Sequence, residues 1–209
     1  MATIQYKGYE IEIYQDEFPE NPREWDNLTT MVCFHKRYDL PNETEYNSDM
    51  FSSWEHLENQ IHKDNDICVC LPVYMHDHSG ITVRTYPFSC QWDSGQIGFI
   101  YVTKNKIKKE FNKKRISKEL TKKVKQYLIH ELETYDDYIT GNAYGYSVIK
   151  DNKILDSCSG YYGFDHEKSG LLEQAKSFID YDIKDKWQQL VFPFPGNKNL
   201  TLDENYGTV

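Results

Sequence analysis

His76-Asp77-His78 is the densest titratable cluster in the chain, and Cys90, Asp93 and Ser94 follow it closely. Cys90 and Ser94 are the available nucleophiles, His78 or His35 the available base, and Asp77 or Asp93 the carboxylate that would orient it. A thiol or hydroxyl attacks usefully when an imidazole takes its proton and a carboxylate fixes that imidazole, so this set could run a small Cys/Ser-His hydrolase. Turn chemistry accounts for the same residues more simply: Asp77 capping the backbone, His78 packing on a Tyr, and Asp93-Ser94-Gly95 forming an Asx-type turn. A strand that continues through His78 places His76 and His78 on one side and Asp77 on the other. Two imidazoles so arranged suit a metal, but a third ligand is required, His35 or Asp93. The five cysteines (Cys33, Cys68, Cys70, Cys90, Cys158) add no second paired element at usual zinc spacing. We therefore assign no metal site and no cofactor, and the lack of a Walker loop or Gly-x-Gly-x-x-Gly argues against a nucleotide. Cys68 and Cys70, two apart on one expected strand, fall on the same face as reduced thiols packed like small hydrophobes.

The block Ile67 to Val102 must position these groups. Ile67 to Tyr74 is almost wholly apolar, as in a strand covered on both faces, except that Pro72 demands an edge or a bulge. Ser79-Gly80 turns the chain into Ile81 to Tyr86, and Asp93-Ser94-Gly95 turns it again into Gln96 to Thr103. Both polar turns are thus expected at one end of one sheet, where functional loops gather.

Around that block, Lys7-Gly8 joins two alternating runs in a hairpin, and Asp151-Asn152 joins Ala143 to Lys150 with Lys153 to Cys158 in another. Thr29 to Phe34 is a further strand. Ser52-x-x-Glu55 has the form of a capping box for a helix over 53–63. Lys104 to Phe111 predicts a brief helix. A long one starts near Ser117 with the stripe Leu120, Val124, Tyr127 or Leu128, Leu132, Tyr135, Tyr138 or Ile139, and Gly141 supplies its cap. Gly160-Tyr-Tyr-Gly163 predicts an irregular turn, and Leu171, Ala175, Ile179, Ile183 and Trp187 predict one bent helix or two short ones. The expectation is a single α+β domain over 1–191, a mostly antiparallel sheet of about six to eight strands with about three to four helices, and an extended tail over 192–209.

Seventeen Tyr in 209 residues are too many aromatics for a disordered chain, despite a mean hydropathy of -0.75. No apolar run approaches membrane-spanning length and no signal peptide opens the chain, so no membrane partner is expected and the cytoplasm is the expected compartment. The net charge of -9 conceals an asymmetry. Between Lys104 and Lys125 eleven basic residues face only Glu110 and Glu119, a balance of +9 that leaves -18 elsewhere. Lys104, Lys106, Lys108, Lys109, Lys113, Lys114, Arg115, Lys118 and Lys122 could meet phosphates or an acidic partner, with the sequence-blind attraction that Lys gives. A solvated helix face is the alternative. Glu10, Glu12, Asp16, Glu17, Glu20, Glu24 and Asp26 form one candidate acidic patch and Glu43, Glu45, Asp49, Glu55 and Glu58 another, either of which could mimic phosphates in a nucleic-acid channel.

The strings MVCFHKRYDL, YMHDHSGITV, PFSCQWDSGQIGFIYV, ETYDDYITGNAYGY and DSCSGYYG together resemble an uncharacterised family carried by bacteriophages and mobile elements, over roughly Leu28 to Gly163. The family has Pro where Gln91 stands and Trp where Ser159 stands. The resemblance implies an accessory role, such as countering host restriction or CRISPR systems, and transfers no catalytic residue. The expected function is therefore an anti-CRISPR or antirestriction-type factor. It would bind a host protein or ribonucleoprotein complex through its bipolar surface, with the hydrolase and direct nucleic-acid binding as competing alternatives.

Overall fold

The turn signals of the sequence become turns where they supply backbone that other residues resist. Lys7 and Gly8 take φ of 49° and 77°, and Asp151 and Asn152 take 50° and 60°, the left-handed pairs that a tight two-residue hairpin needs. The computed structural model describes residues 2–191; the tail expected over 192–209 lies outside the described residues. Eight strands, β1 (Ala2–Tyr6), β2 (Tyr9–Gln15), β3 (Thr30–Cys33), β4 (Ile67–Asp77), β5 (Ile81–Arg84), β6 (Ser94–Thr103), β7 (Ala143–Lys150) and β8 (Lys153–Tyr162), combine with four α-helices, α1 (Trp54–Asp64), α2 (Lys104–Glu110), α3 (Lys118–Ile139) and α4 (Leu171–Val191). The class is α+β as expected. The strands, however, form two antiparallel sheets of four, ordered β1-β2-β7-β8 and β3-β6-β4-β5, rather than one. None of the helices among the described residues is long and apolar enough to cross a membrane.

Contacts divide the described residues into two compact units, one of residues 2–14, 145–158 and 166–191, the other of 15–144 and 159–165. In the first, Tyr9, Ile11 and Ile13 of β2 and Leu171, Ala175 and Ile179 of α4 are buried, while Trp187 is exposed. The step of four expected for α4 holds from Leu171 through Ile179, in a single helix, and no longer marks a buried face at Trp187. In the second, β6 is nearly enclosed. One face of its sheet packs on Ile107, Val124, Leu128, Leu132 and Tyr135 of α2 and α3, and the other packs on Leu57 and Ile61 of α1. Leu128, not Tyr127, completes the α3 stripe.

Two bulges shape this second sheet. Pairing skips Cys68 between Ile67 and Val69 of β4, and skips Ile97 between Gln96 and Gly98 of β6. An extra residue reverses the alternation of faces beyond it. Cys68 therefore packs on the α3 side and Cys70 on the α1 side, which corrects their expected common face. Pro72 pairs with Phe99 of β6 at a level where β5, which spans Tyr74 to Asp77, has not begun, so its missing donor falls where β4 has one neighbour only. Gly98 sits where β3 approaches closely: a Cβ there would lie 1.9 Å from the Val32 carbonyl oxygen.

Two local expectations shift. Ser53, not Ser52, caps α1, accepting from His56 N–H at 3.2 Å. Ser117 caps α3 as expected, and Gly141 ends it at φ 76°. Gly160 to Tyr162 continue β8 instead of turning, with Gly160 at φ 88° and Gly163 N–H donating to Asn142 O at 2.8 Å.

Candidate functional site

The two polar turns do meet. Register pairs His76 of β4 with Ser94 of β6 and Met75 with Gly95, and Asp77 N–H donates to Asp93 O at 2.7 Å. The β4–β5 turn, Ser79 at φ 59° and Gly80 at 146°, therefore sits beside the 90–93 turn at one rim of the second sheet. Strand alternation then sorts the side chains onto two faces.

On the face of Met75, Asp77 pairs with the Arg37 guanidinium and accepts from Tyr38 Oη at 3.0 Å. That hydrogen bond raises the Tyr38 phenol above its ordinary value, because a neighbouring carboxylate disfavours phenolate. His35 stacks on Tyr38 with centroids 5.0 Å apart, and its Nδ1 accepts from Arg37 N–H at 3.3 Å. His35, Arg37, Asp77, Asp93, Ser94 and the fully exposed Trp92 line an open cleft of about 270 Å³.

On the opposite face, His78 Nδ1 lies 3.2 Å from Asp93 Oδ2, and Cys90 Sγ donates to the same oxygen at 3.7 Å. His76 stacks on Phe88 at 5.3 Å and on His78 at 6.0 Å. Arg84 lies over the Phe88 ring at 3.7 Å, holding the back of this face.

The expected catalytic set is thus gathered but not wired as a triad. Asp77 belongs to Arg37 and Tyr38, while the carboxylate on His78 is that of Asp93. Ser94 Oγ donates to the Cys90 carbonyl, which closes the turn and commits the hydroxyl to backbone. Cys90 faces a carboxylate rather than an imidazole, the wrong partner for generating a thiolate. Among the described residues, neither nucleophile hydrogen-bonds a histidine.

Lys104, Lys106, Lys108 and Lys109 lie on α2, Lys113, Lys114 and Arg115 in the connection to α3, and Lys118 and Lys122 on α3. Lys104 is held by Asp66 at 2.6 Å and Lys106 by the Asn27 carbonyl at 2.6 Å. The other seven have no ion pair among the described residues. Lys118, Lys122 and Lys125, spaced i, i+4 and i+7 on one helical face, rim an open groove of about 540 Å³ floored by Cys68, Val69, Cys70 and Leu71.

The first acidic patch is divided. Glu10 and Glu12 belong to one unit, alternating with buried Tyr9, Ile11 and Ile13; Asp16, Glu17, Glu20, Glu24 and Asp26 belong to the other. Two of these carboxylates already have local donors, Phe18 N–H on Asp16 and Trp25 Nε1 on Glu20. Glu43 of the second patch is tied to Arg23 at 2.5 Å.

Three groups escaped sequence reasoning. Arg23, in a proline-punctuated stretch, gave no signal of burial. The Arg37–Asp77 pair is non-local and had none either. Asp136, within the α3 stripe region, accepts from Val83 N–H at 2.7 Å and Thr82 Oγ at 2.8 Å and so binds β5 to α3. Burial raises its carboxyl above the ordinary range, opposed by those two donors. No protein-family model matches this chain, and no curated protein or solved structure matches it either.

Proposed function

We propose that this protein is a phage or mobile-element accessory factor that docks on a host nucleic-acid-handling or defence complex, its lysine face on α2 and α3 taking up the phosphates of that complex's nucleic acid. The observation that carries this is the run of cations at 108, 109, 113, 114, 115, 118 and 122, which have no ion pair among the described residues, with Lys118, Lys122 and Lys125 rimming the open groove over β4. Lys7 and Lys186, by contrast, are paired, with Asp180 and Asp182, each at 2.7 Å. The lysines along this groove make a local positive field on a protein of net charge -9, attractive to polyanions and blind to base sequence. The mobile-element setting rests on the resemblance over Leu28 to Gly163. An enzymatic role draws less support, since Cys90 and Ser94 are engaged by Asp93 and by backbone.

Fluorescence anisotropy with labelled DNA and RNA strands, over a salt series, tests the proposal. Binding is expected at low salt, and replacing Lys118, Lys122 and Lys125 together by Gln should reduce the slope of log K against log[salt] by about 2 to 3. Lack of binding at low salt, or an unchanged slope in the variant, overturns it.

A further inference from the structure

We infer that His76, Cys90 and Asp93 form a binding site for a zinc-class divalent transition metal, with His78 orienting Asp93. One donor atom from each of the three residues lies within 4.8 Å of the others. Metal–ligand bonds of about 2.0 to 2.3 Å require donors somewhat closer than that, a contraction within reach of χ rotations at a rim open to solvent. The backbone is already set, because the register His76–Ser94 and the Asp77 N–H to Asp93 O bond fix the two turns together.

The spacing has a metal logic that cysteine counting misses. Cys90-x-x-Asp93 occupies a turn as the two cysteines of a zinc knuckle do, with a carboxylate in the second position, and His76 near the end of β4 supplies the ligand from a strand. One thiolate, one imidazole and one carboxylate favour a borderline-soft ion and disfavour magnesium or calcium, which take oxygen alone. Three ligands from the chain leave one tetrahedral position for solvent. His78 Nδ1, 3.2 Å from Asp93 Oδ2, can donate to the ligating carboxylate and hold it in place. Cys90 Sγ already points at that oxygen, so exchange of the thiol proton for the metal needs little movement.

A second cluster, Glu58, His62 and Cys70, brings three donors equally close between α1 and β4. Its donors lie on α1 and β4, outside the 76–93 rim, so a variant there reports separately from one at the rim. It serves as the internal control.

The full chain, stripped with chelator and kept reduced by a phosphine, is titrated with Zn²⁺ by calorimetry and with Co²⁺ by absorption. One ion per chain is expected, with a thiolate-to-cobalt charge-transfer band. Cys90→Ser abolishes that band, and Cys90→Ser, His76→Ala and Asp93→Asn each weaken Zn²⁺ binding by more than about 100-fold, beyond the usual outer-shell effect. His78→Ala weakens it by about 10- to 100-fold and retains the band. His62→Ala changes neither. Far-UV circular dichroism of each metal-free variant checks that it folds as the wild type does. The site is overturned if no ion binds, if the charge-transfer band survives in Cys90→Ser, or if His62→Ala removes binding.

Discussion

Arg23 and Asp93 each gather several polar partners, and they do so in opposite surroundings. The Arg23 side chain is 3% exposed. Its Nε and Nη2 reach Glu43 at 2.8 and 2.5 Å, Nη1 reaches Glu131 at 3.2 Å and Thr29 Oγ1 at 3.3 Å, and Nη2 also reaches the Thr29 carbonyl at 3.1 Å. Glu131 of α3 in turn accepts from Leu28 N–H at 2.9 Å, Thr29 N–H at 3.2 Å and the Thr29 hydroxyl. Donors and acceptors are matched, so the cluster is architecture: it ties the start of β3 and the Pro22–Glu24 turn to α3. Around Asp93, whose side chain is 42% exposed, the imidazole, thiol and carboxylate are wet and only partly matched. Polar groups that the fold has fully satisfied hold the chain together, whereas those it leaves half-satisfied at a rim keep protons and lone pairs for a ligand.

The largest effect expected from this contrast is at the buried end. Arg23→Ala strands Glu131 and Glu43 without their counter-charge and should cost about 3 to 5 kcal/mol, toward the lower figure because both carboxylates keep some solvent. Urea unfolding at neutral pH measures it, and a loss under about 1 kcal/mol would erase the distinction between the two clusters.

At the rim the same kind of substitution should hardly register. Asp93→Asn in metal-free protein, and Trp92→Ala at a side chain 96% exposed, are each expected to stay within about 1 kcal/mol of wild type. If Asp93→Asn unfolds the chain as readily as Arg23→Ala, the rim is scaffold and its chemistry is incidental.

What the sequence could and could not convey follows the same division. Hairpins at Lys7-Gly8 and Asp151-Asn152, the Ser117 cap and the α3 stripe are written in adjacent residues, and each appears where expected. The meeting of the two turns was also legible, because a hairpin and the following strand bring their ends together by topology. The bulges at Cys68 and Ile97 were not, since only the pairing partner reveals which residue is the extra one. That is why the common face expected for Cys68 and Cys70 does not exist. Nor did any local pattern separate Asp77 from His78, whose partners Arg37 and Asp93 come from different loops. The split into two sheets depends on which strand ends up beside β2, a long-range choice that alternation does not encode.

Asp136 lies between the two regimes and gives the smallest expected effect. Its carboxylate is largely enclosed between α3 and β5, and burial raises its pKa above the ordinary 3.8 while Val83 N–H and Thr82 Oγ pull the other way. The folded chain therefore holds this proton at a pH where the unfolded chain has released it. Stability from this residue is complete below 3.8 and is lost as pH climbs through the raised folded value, after which it stays level. Asn at 136 keeps an acceptor for both donors and has no proton to lose. The stability of wild type relative to Asp136→Asn should then decline as pH rises across that window, as read from paired urea titrations at a series of pH values. A difference that does not change with pH would mean that water reaches the carboxylate freely, and would move Asp136 from the buried class into that of the rim.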